Sequence, residues 1–115
     1  MEKILLDTSF ILSAVRNKID IFEELLGYRI IIPKQVLIEL NGIAKTKTEA
    51  KIALKIIEKN KFEAIDLKTK NTDEGIKKYA EKNRNLIIAT LDNEIKKFVM
   101  NKKMIIRGKK KIEIM

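Results

Sequence analysis

Four short apolar runs, Ile4-Leu5-Leu6, Ile30-Ile31-Ile32, Leu86-Ile87-Ile88-Ala89 and Met104-Ile105-Ile106, lie far apart in the chain and show no polar alternation. A run of this length without alternation is the pattern of a strand covered on both faces. Phe62 to Leu67 instead alternates apolar and polar residues, as a half-exposed or edge strand does. Between these strands the apolar positions recur at helical spacing. Phe10 to Val15, Asp20 to Leu26, Lys34 to Ile43, Lys47 to Lys59, Thr72 to Asn83 and a segment from Asp92 or Asn93 to Lys102 are the expected helices. Gly27 can close the second of them in a left-handed cap, and Pro33 ends the second strand at a point where a helix can begin. Apolar strands alternating with helices predict an α/β fold, a three-layer α/β/α sandwich around a central, mostly parallel five-stranded sheet. With 115 residues, no internal repeat and no linker, the expectation is a single domain over residues 1–115.

Composition narrows the chemistry. There is no Cys and no His, which removes disulfides, zinc sites, thiol nucleophiles, Ser-His triads and histidine acid-base pairs together. Carboxylates, hydroxyls, amides and cations remain. No stretch approaches the roughly 20 apolar residues of a membrane span, and the start lacks the long apolar core of a signal peptide, so a soluble cytoplasmic protein is expected, with no membrane partner. The 25 Lys and Arg outnumber the 16 Asp and Glu, giving a net charge of +9 that suits a polyanionic partner. Nucleotide composition or growth at high temperature can produce the same Lys-rich, Ile-rich bias without any nucleic acid.

In a parallel α/β sheet, ligands sit beyond the carboxyl ends of the strands where the strand order reverses. Two of the buried strands lead into a carboxylate there, at Leu5-Leu6-Asp7 and Ala89-Thr90-Leu91-Asp92, and Asp73 enters from the start of a helix. Glu39 lies inside a helix with Val36 and Ile43 as its i−3 and i+4 neighbours, on or beside the apolar stripe, where an ionised carboxylate wants a positive partner. A divalent cation among Asp7, Glu39, Asp73 and Asp92 meets that need, and all-oxygen ligands suit Mg²⁺ or Mn²⁺. Thr8, Ser9, Thr90 and Asn93 add hydroxyls and an amide able to orient a carboxylate or a water. Each residue also has an ordinary reading. The three aspartates stand where Asp caps a helix, Glu39 could turn out to a lysine, and the hydroxyls could serve turns. The coincidence of four acids at one edge favours the shared site.

The motifs Ile4-Leu5-Leu6-Asp7-Thr8-Ser9-Phe10, Ile32-Pro33-Lys34-Gln35-Val36-Leu37-Ile38-Glu39, Thr72-Asp73-Glu74-Gly75-Ile76 and Ile88-Ala89-Thr90-Leu91-Asp92-Asn93-Glu94 resemble, in order and over nearly the whole chain, those of the PIN-domain family. Ile105 to Glu113 resembles the end of archaeal members related to the small-subunit ribosomal RNA-processing endonucleases. Thr72 departs from the Ala common in the family, and Gly75 falls inside the first helical turn.

The resemblance implies that Asp7, Glu39, Asp73 and Asp92 are catalytic, metal-binding acids supported by Thr8 or Ser9 and Thr90. It implies an endoribonuclease using Mg²⁺ or Mn²⁺ to hydrolyse RNA, leaving 5′-phosphate and 3′-hydroxyl ends. The RNA would be single-stranded or structured ribosomal RNA, seated by cations for which Arg16, Lys18, Lys45, Lys47, Arg107, Lys109, Lys110 and Lys111 are candidates. The alternatives are a toxin of a toxin-antitoxin pair with the same chemistry and an antitoxin partner, and a non-catalytic RNA-binding or assembly module on the same fold. The apolar segments Phe10 to Val15 and Phe22 to Leu26 could supply a homodimer face. Competing carboxylate folds fit less well: Ser9 stands where a dehalogenase-type phosphatase has its second Asp, no receiver-type acidic pair is present, and phosphate-binding glycine patterns are absent.

Overall fold

A computed structural model describes residues 1–108 and 111–115. Its element order is β1 (Lys3–Leu6), α1 (Thr8–Arg16), α2 (Ile21–Glu24), β2 (Arg29–Pro33), α3 (Lys34–Ile43), α4 (Thr48–Glu58), β3 (Glu63–Ile65), α5 (Thr72–Lys82), β4 (Ile87–Ala89), α6 (Asn93–Phe98), β5 (Lys103–Arg107) and β6 (Lys111–Ile114). The strands form one sheet in the order β3-β2-β1-β4-β5-β6. All pairings are parallel except that of β6, which returns antiparallel along β5. The expected class stands, with six strands instead of five. The extra strand is the Ile112-Glu113-Ile114 segment, whose register places Ile112 opposite Ile106 and Ile114 opposite Met104.

The uninterrupted apolar runs do bury both faces of the sheet. Ile4, Leu6, Ile30, Ile32, Ile87 and Ala89 turn to one side, where they pack with residues of α1 to α4. Leu5, Ile31 and Ile88 turn to the other, against Ile76 and Ala80 of α5 and Ile95 of α6. The chain therefore winds outward from β1 through β2 to β3 on one flank and from β4 to β5 on the other. The strand order reverses between the adjacent strands β1 and β4. This reversal opens a crevice at their carboxyl ends.

Three local expectations are corrected. Helix α6 stops at Phe98 instead of Lys102, because Val99 takes an extended conformation (φ −77°, ψ 140°). Just beyond it the buried Asn101 donates from Nδ2 to the carbonyls of Asn83 and Leu86, at 2.8 Å each, tying the chain down before β5. Helix α2 ends at Glu24, yet Gly27 does adopt a left-handed φ of +96°, in the turn that enters β2. The segments expected to offer a dimer face are largely consumed by the core: Phe10, Ile11, Ala14, Phe22 and Leu25 are buried, and Leu26 is left exposed. Among the described residues no helix is long and apolar enough to cross a membrane.

Candidate active site at the carboxyl edge of the sheet

The crevice between β1 and β4 is built around Asp7. Its backbone N–H donates to the carbonyl of Ala89 at 2.9 Å, so the two strand ends are joined at this point. The carboxylate is almost wholly buried, and three groups order it. The Thr8 N–H donates to Oδ1 at 2.8 Å, and the hydroxyls of Thr90 and Ser9 donate to Oδ2 at 2.7 and 3.1 Å. Thr90 is fully buried and faces both ways, since its Oγ1 also accepts the Asp92 N–H at 3.1 Å. Ser9 likewise accepts the Leu91 N–H at 3.0 Å. One hydroxyl pair therefore fixes the carboxylate that ends β1 against the turn that follows β4.

Burial pushes the Asp7 carboxyl above its ordinary value of 3.8; the hydrogen bonds from Thr90, Thr8 and Ser9 oppose the rise, and the nearby Glu39 adds to it. No cation pairs with Asp7 among the described ion pairs. A buried carboxylate served only by neutral donors is an electrostatic demand not yet met.

The other acids surround it. Glu39 is exposed, which corrects the expectation drawn from its place in α3: Val36 and Leu40 are the buried residues of that helix, while Glu39 turns to solvent beside them. It does not turn to a lysine. Its Oε1 accepts the Thr8 hydroxyl at 2.6 Å, which brings it to the start of α1 beside Asp7. Asp92 caps α6, accepting the Ile95 N–H at 3.0 Å. Asp73 is not a cap, because Asn71 holds that role in α5 by accepting the Glu74 N–H. The Asp73 carboxyl is raised by partial burial, then by the charges of Asp92 and Asp7, with Glu94 adding to them and Lys77 opposing. The ordinary capping explanation thus covers part of what Asp7 and Asp92 do and none of what Asp73 does.

A second set of contacts places Asp73. Gln35, in the first turn of α3, donates from Nε2 to Asp66 Oδ1 at 2.9 Å and accepts the Leu67 N–H at 3.1 Å. Asp66 also accepts the Lys68 N–H at 2.8 Å, and these two bonds, Gln35 first, lower its carboxyl below the ordinary value. The latched loop then presses on α5 at Gly75. A Cβ there would lie 2.6 Å from Thr69 Cγ2 and 2.9 Å from Leu67 Cβ. The glycine that departs from helical preference is thus required by the close approach of the loop, and it sets the first turn that carries Asp73.

The supporting residues divide. Thr8, Ser9 and Thr90 hydrogen-bond Asp7 or Glu39, whereas Asn93 is exposed and makes no described side-chain bond to the four acids. Of the candidate RNA-contacting cations, Arg16 pairs with Glu49 at 3.6 Å. Arg107 bonds Glu113 at 2.7 Å, and Lys111 lies 3.9 Å from the same carboxylate. Lys18 sits in a left-handed turn after α1, and Lys45 and Lys47 lie between α3 and α4; none of them pairs with the four acids in the described structure. Lys109 and Lys110 fall outside the described residues. Glu94 and Gln35 were not singled out by the sequence. Glu94 follows Asp92 at i+2 and could have been noticed, but Gln35 acts through a loop 31 residues away that no local pattern reveals.

Among the described residues no three Asp or Glu side chains are drawn together tightly enough to clasp an ion as they stand. The donor set still suits one. It is entirely hard oxygen, mutually repelling and short of cationic partners. Mg²⁺ needs no closed cage, since it commonly takes one or two carboxylates and keeps several waters.

Comparison with known proteins follows the same lines. The profile of the PIN like domain family matches residues 4–110. Ribonuclease VapC4 of Methanocaldococcus jannaschii is 29% identical over 127 residues, covering 99% of this chain and 97% of that protein. Among solved structures, the PIN domain endonuclease Utp24 superposes with a TM-score of 0.79 at 24% identity, covering 97% of this chain and 90% of that one. The DNA-bound VapBC complex of Salmonella typhimurium gives 0.56 at 18% identity, with 90% and 98% covered. These structural likenesses concern the fold.

Proposed function

The chain belongs to the PIN-like domain family, and on that premise we propose that residues 1–115 form one nuclease unit, a metal-dependent endoribonuclease. The observation that carries this reading is the Asp7–Thr90–Asp92 junction at the strand reversal, with Glu39 close enough to raise the Asp7 carboxyl and Asp73 close enough to be raised by the charges of Asp92 and Asp7.

Asp7, Glu39, Asp73 and Asp92 would hold Mg²⁺ or Mn²⁺, which supplies Lewis-acid polarisation of a phosphodiester and a water activated near neutral pH. The chain's own residues supply order. Thr90, Ser9 and the Thr8 N–H, three neutral donors, hold Asp7 in one rotamer, so the carboxylate need not reorganise when a cation arrives. Thr8 holds Glu39 over the same opening, and the cap on α6 fixes Asp92. The Gln35–Asp66 latch and the Gly75 contact set the helical turn that carries Asp73, which feels the charges of Asp92 and Asp7. Four carboxylates repel RNA until they are neutralised, which makes cation binding and substrate binding favour each other.

The test is cleavage of an unstructured and a structured RNA with Mn²⁺, with EDTA, and by Asp7→Asn. The expected result is cleavage with Mn²⁺ alone, leaving 5′-phosphate and 3′-hydroxyl ends; undiminished cleavage in EDTA would refute the reading. Two roles share this chemistry. The Ile105 to Glu113 ending supports maturation of ribosomal RNA, and the full-length likeness to ribonuclease VapC4 supports a toxin held by an antitoxin. Expression in cells separates them: a toxin arrests growth unless its partner is present, and a maturation enzyme does not.

A further inference from the structure

A second concavity lies away from the acids. A cleft of about 750 Å³ opens at the amino ends of β1, β4 and β5, the opposite edge of the sheet. Its lining includes Lys3, Lys82, Arg84 and Lys102, with Tyr79, Asn85 and Asn83 between them, the Asn83 Nδ2 donating to the Tyr79 carbonyl at 2.9 Å and leaving its amide oxygen as the free group among the described residues. Glu2 is the sole acid in the lining, and it lies 4.0 Å from Lys102. Lys3, Lys82 and Arg84 pair with no carboxylate among the described residues. The floor is apolar, from Ile31 and Leu86. Cations for phosphate, an aromatic ring and amides for a base, and an apolar floor form the combination by which proteins hold single-stranded nucleic acid.

The loop that carries these groups is held rigidly. Asn101, buried beneath it, donates to the carbonyls of Asn83 and Leu86, and Arg84 Nε donates to the carbonyl of Glu81 at 3.3 Å. Both Asn101 donor bonds are to carbonyls, so the amide cannot flip, and its Oδ1 is left buried without a partner. A cost of that kind is accepted where a loop must keep one shape. Helix α5 joins the two regions: its first turn carries Asp73, its end carries Lys82, and it is about 16 Å long. Lys78 and Lys82 share one exposed side of it.

We propose that this cleft is a second RNA-binding site, which holds a single-stranded part of the substrate while a more distant part lies at the acids. The inference rests on the ribonuclease reading for the identity of its ligand, and its test is independent of cleavage. Binding of fluorescent 30-nucleotide and 8-nucleotide unstructured RNAs is measured by anisotropy in EDTA, for the parent and for Lys82→Glu with Arg84→Glu. Lys51→Glu with Lys55→Glu, two exposed positions on α4, matches the change in net charge. The cleft variant is expected to lose at least tenfold in affinity for the long RNA, more than the α4 variant, and to flatten the salt dependence by about 1.4 in log–log slope, two phosphate contacts' worth. Its Mn²⁺ binding and its cleavage of the 8-nucleotide RNA should match the parent. Unchanged affinity for the long RNA, or an equal loss in both variants, would overturn the proposal. A protein that binds RNA through the cleft yet cleaves nothing would count against the nuclease reading alone.

Discussion

Thr90→Val replaces a hydroxyl by a methyl of nearly the same shape at a fully buried position, so it leaves no cavity and isolates the polar contribution of one atom. Two bonds are lost. The donor to Asp7 Oδ2, at 2.7 Å, is a hydrogen bond to a charged group, worth about 1.5–3 kcal/mol. The Asp92 N–H loses its 3.1 Å acceptor, but the residue is half-exposed and water can replace part of that bond. The expected cost at neutral pH without divalent cation is about 2–4 kcal/mol, which at an m-value near 2 kcal/mol/M moves the urea midpoint by about 1–2 M. The cost must also depend on pH. Asp7 is already raised above 3.8 in the folded state, and Thr90 gives the strongest of the bonds that restrain the rise. Without it the folded carboxyl rises further, so the native state binds more protons than the unfolded chain over a wider range above 3.8. Stability then falls further as pH rises through that range, and the gap between variant and parent is largest at neutral pH and shrinks toward pH 3. Urea melts at pH 3.5, 5.5 and 7.5, with the Asp7 carboxyl followed by carbon NMR, read both effects. Thr90→Ser is the control, since it keeps the hydroxyl and loses one buried methyl, about 0.8 kcal/mol. A loss independent of pH, or equal in Ser and Val variants, would refute the assignment of this hydroxyl as the restraint on Asp7.

Three further outcomes follow from the same geometry. Asp73→Asn removes a carboxylate that burial and the Asp92 and Asp7 charges hold above 3.8. In EDTA it should stabilise the protein at pH 7 by up to about 1 kcal/mol, with the gain fading as pH falls through the range between that raised value and 3.8. Mn²⁺ binding should weaken in the same variant, and a stability loss at pH 7 would contradict the repulsion. Gly75→Ala drives a Cβ against Thr69 and Leu67; overpacking of about 1–3 kcal/mol should outweigh the gain in helix propensity, leaving a lower thermal midpoint. Gln35→Ala frees the loop before α5 at a cost of about 1 kcal/mol and should lower Mn²⁺ affinity without touching any acid, whereas unchanged affinity would show that Asp73 does not depend on the latch.

The sheet was legible because each buried strand is an uninterrupted apolar run, and the winding rule then placed Asp7 and Asp92 at one edge. The sixth strand was less so: Lys111 to Ile114 alternates and lies on the sheet margin, half-covered, where composition resembles a loop. Helical spacing puts Glu39 on or beside the apolar stripe but does not reveal that it lies exposed with its long side chain bent to meet Thr8, since periodicity gives only the direction of a Cβ. Asn71 rather than Asp73 caps α5 because both residue types compete for that position and only backbone geometry decides. The Gln35–Asp66 latch joins side chains 31 residues apart, and the amino-edge cleft draws on four separate segments, so neither leaves a local pattern.

The central claim is that four carboxylates from separate segments act together on a divalent cation. Electron paramagnetic resonance can count bound Mn²⁺ in the parent and in Asp7→Asn, Glu39→Gln, Asp73→Asn and Asp92→Asn, with RNA cleavage followed in the same samples. The account predicts that each variant stays folded, binds Mn²⁺ at least tenfold more weakly and loses cleavage in step. Cleavage that survives in a variant that no longer binds Mn²⁺ would contradict it.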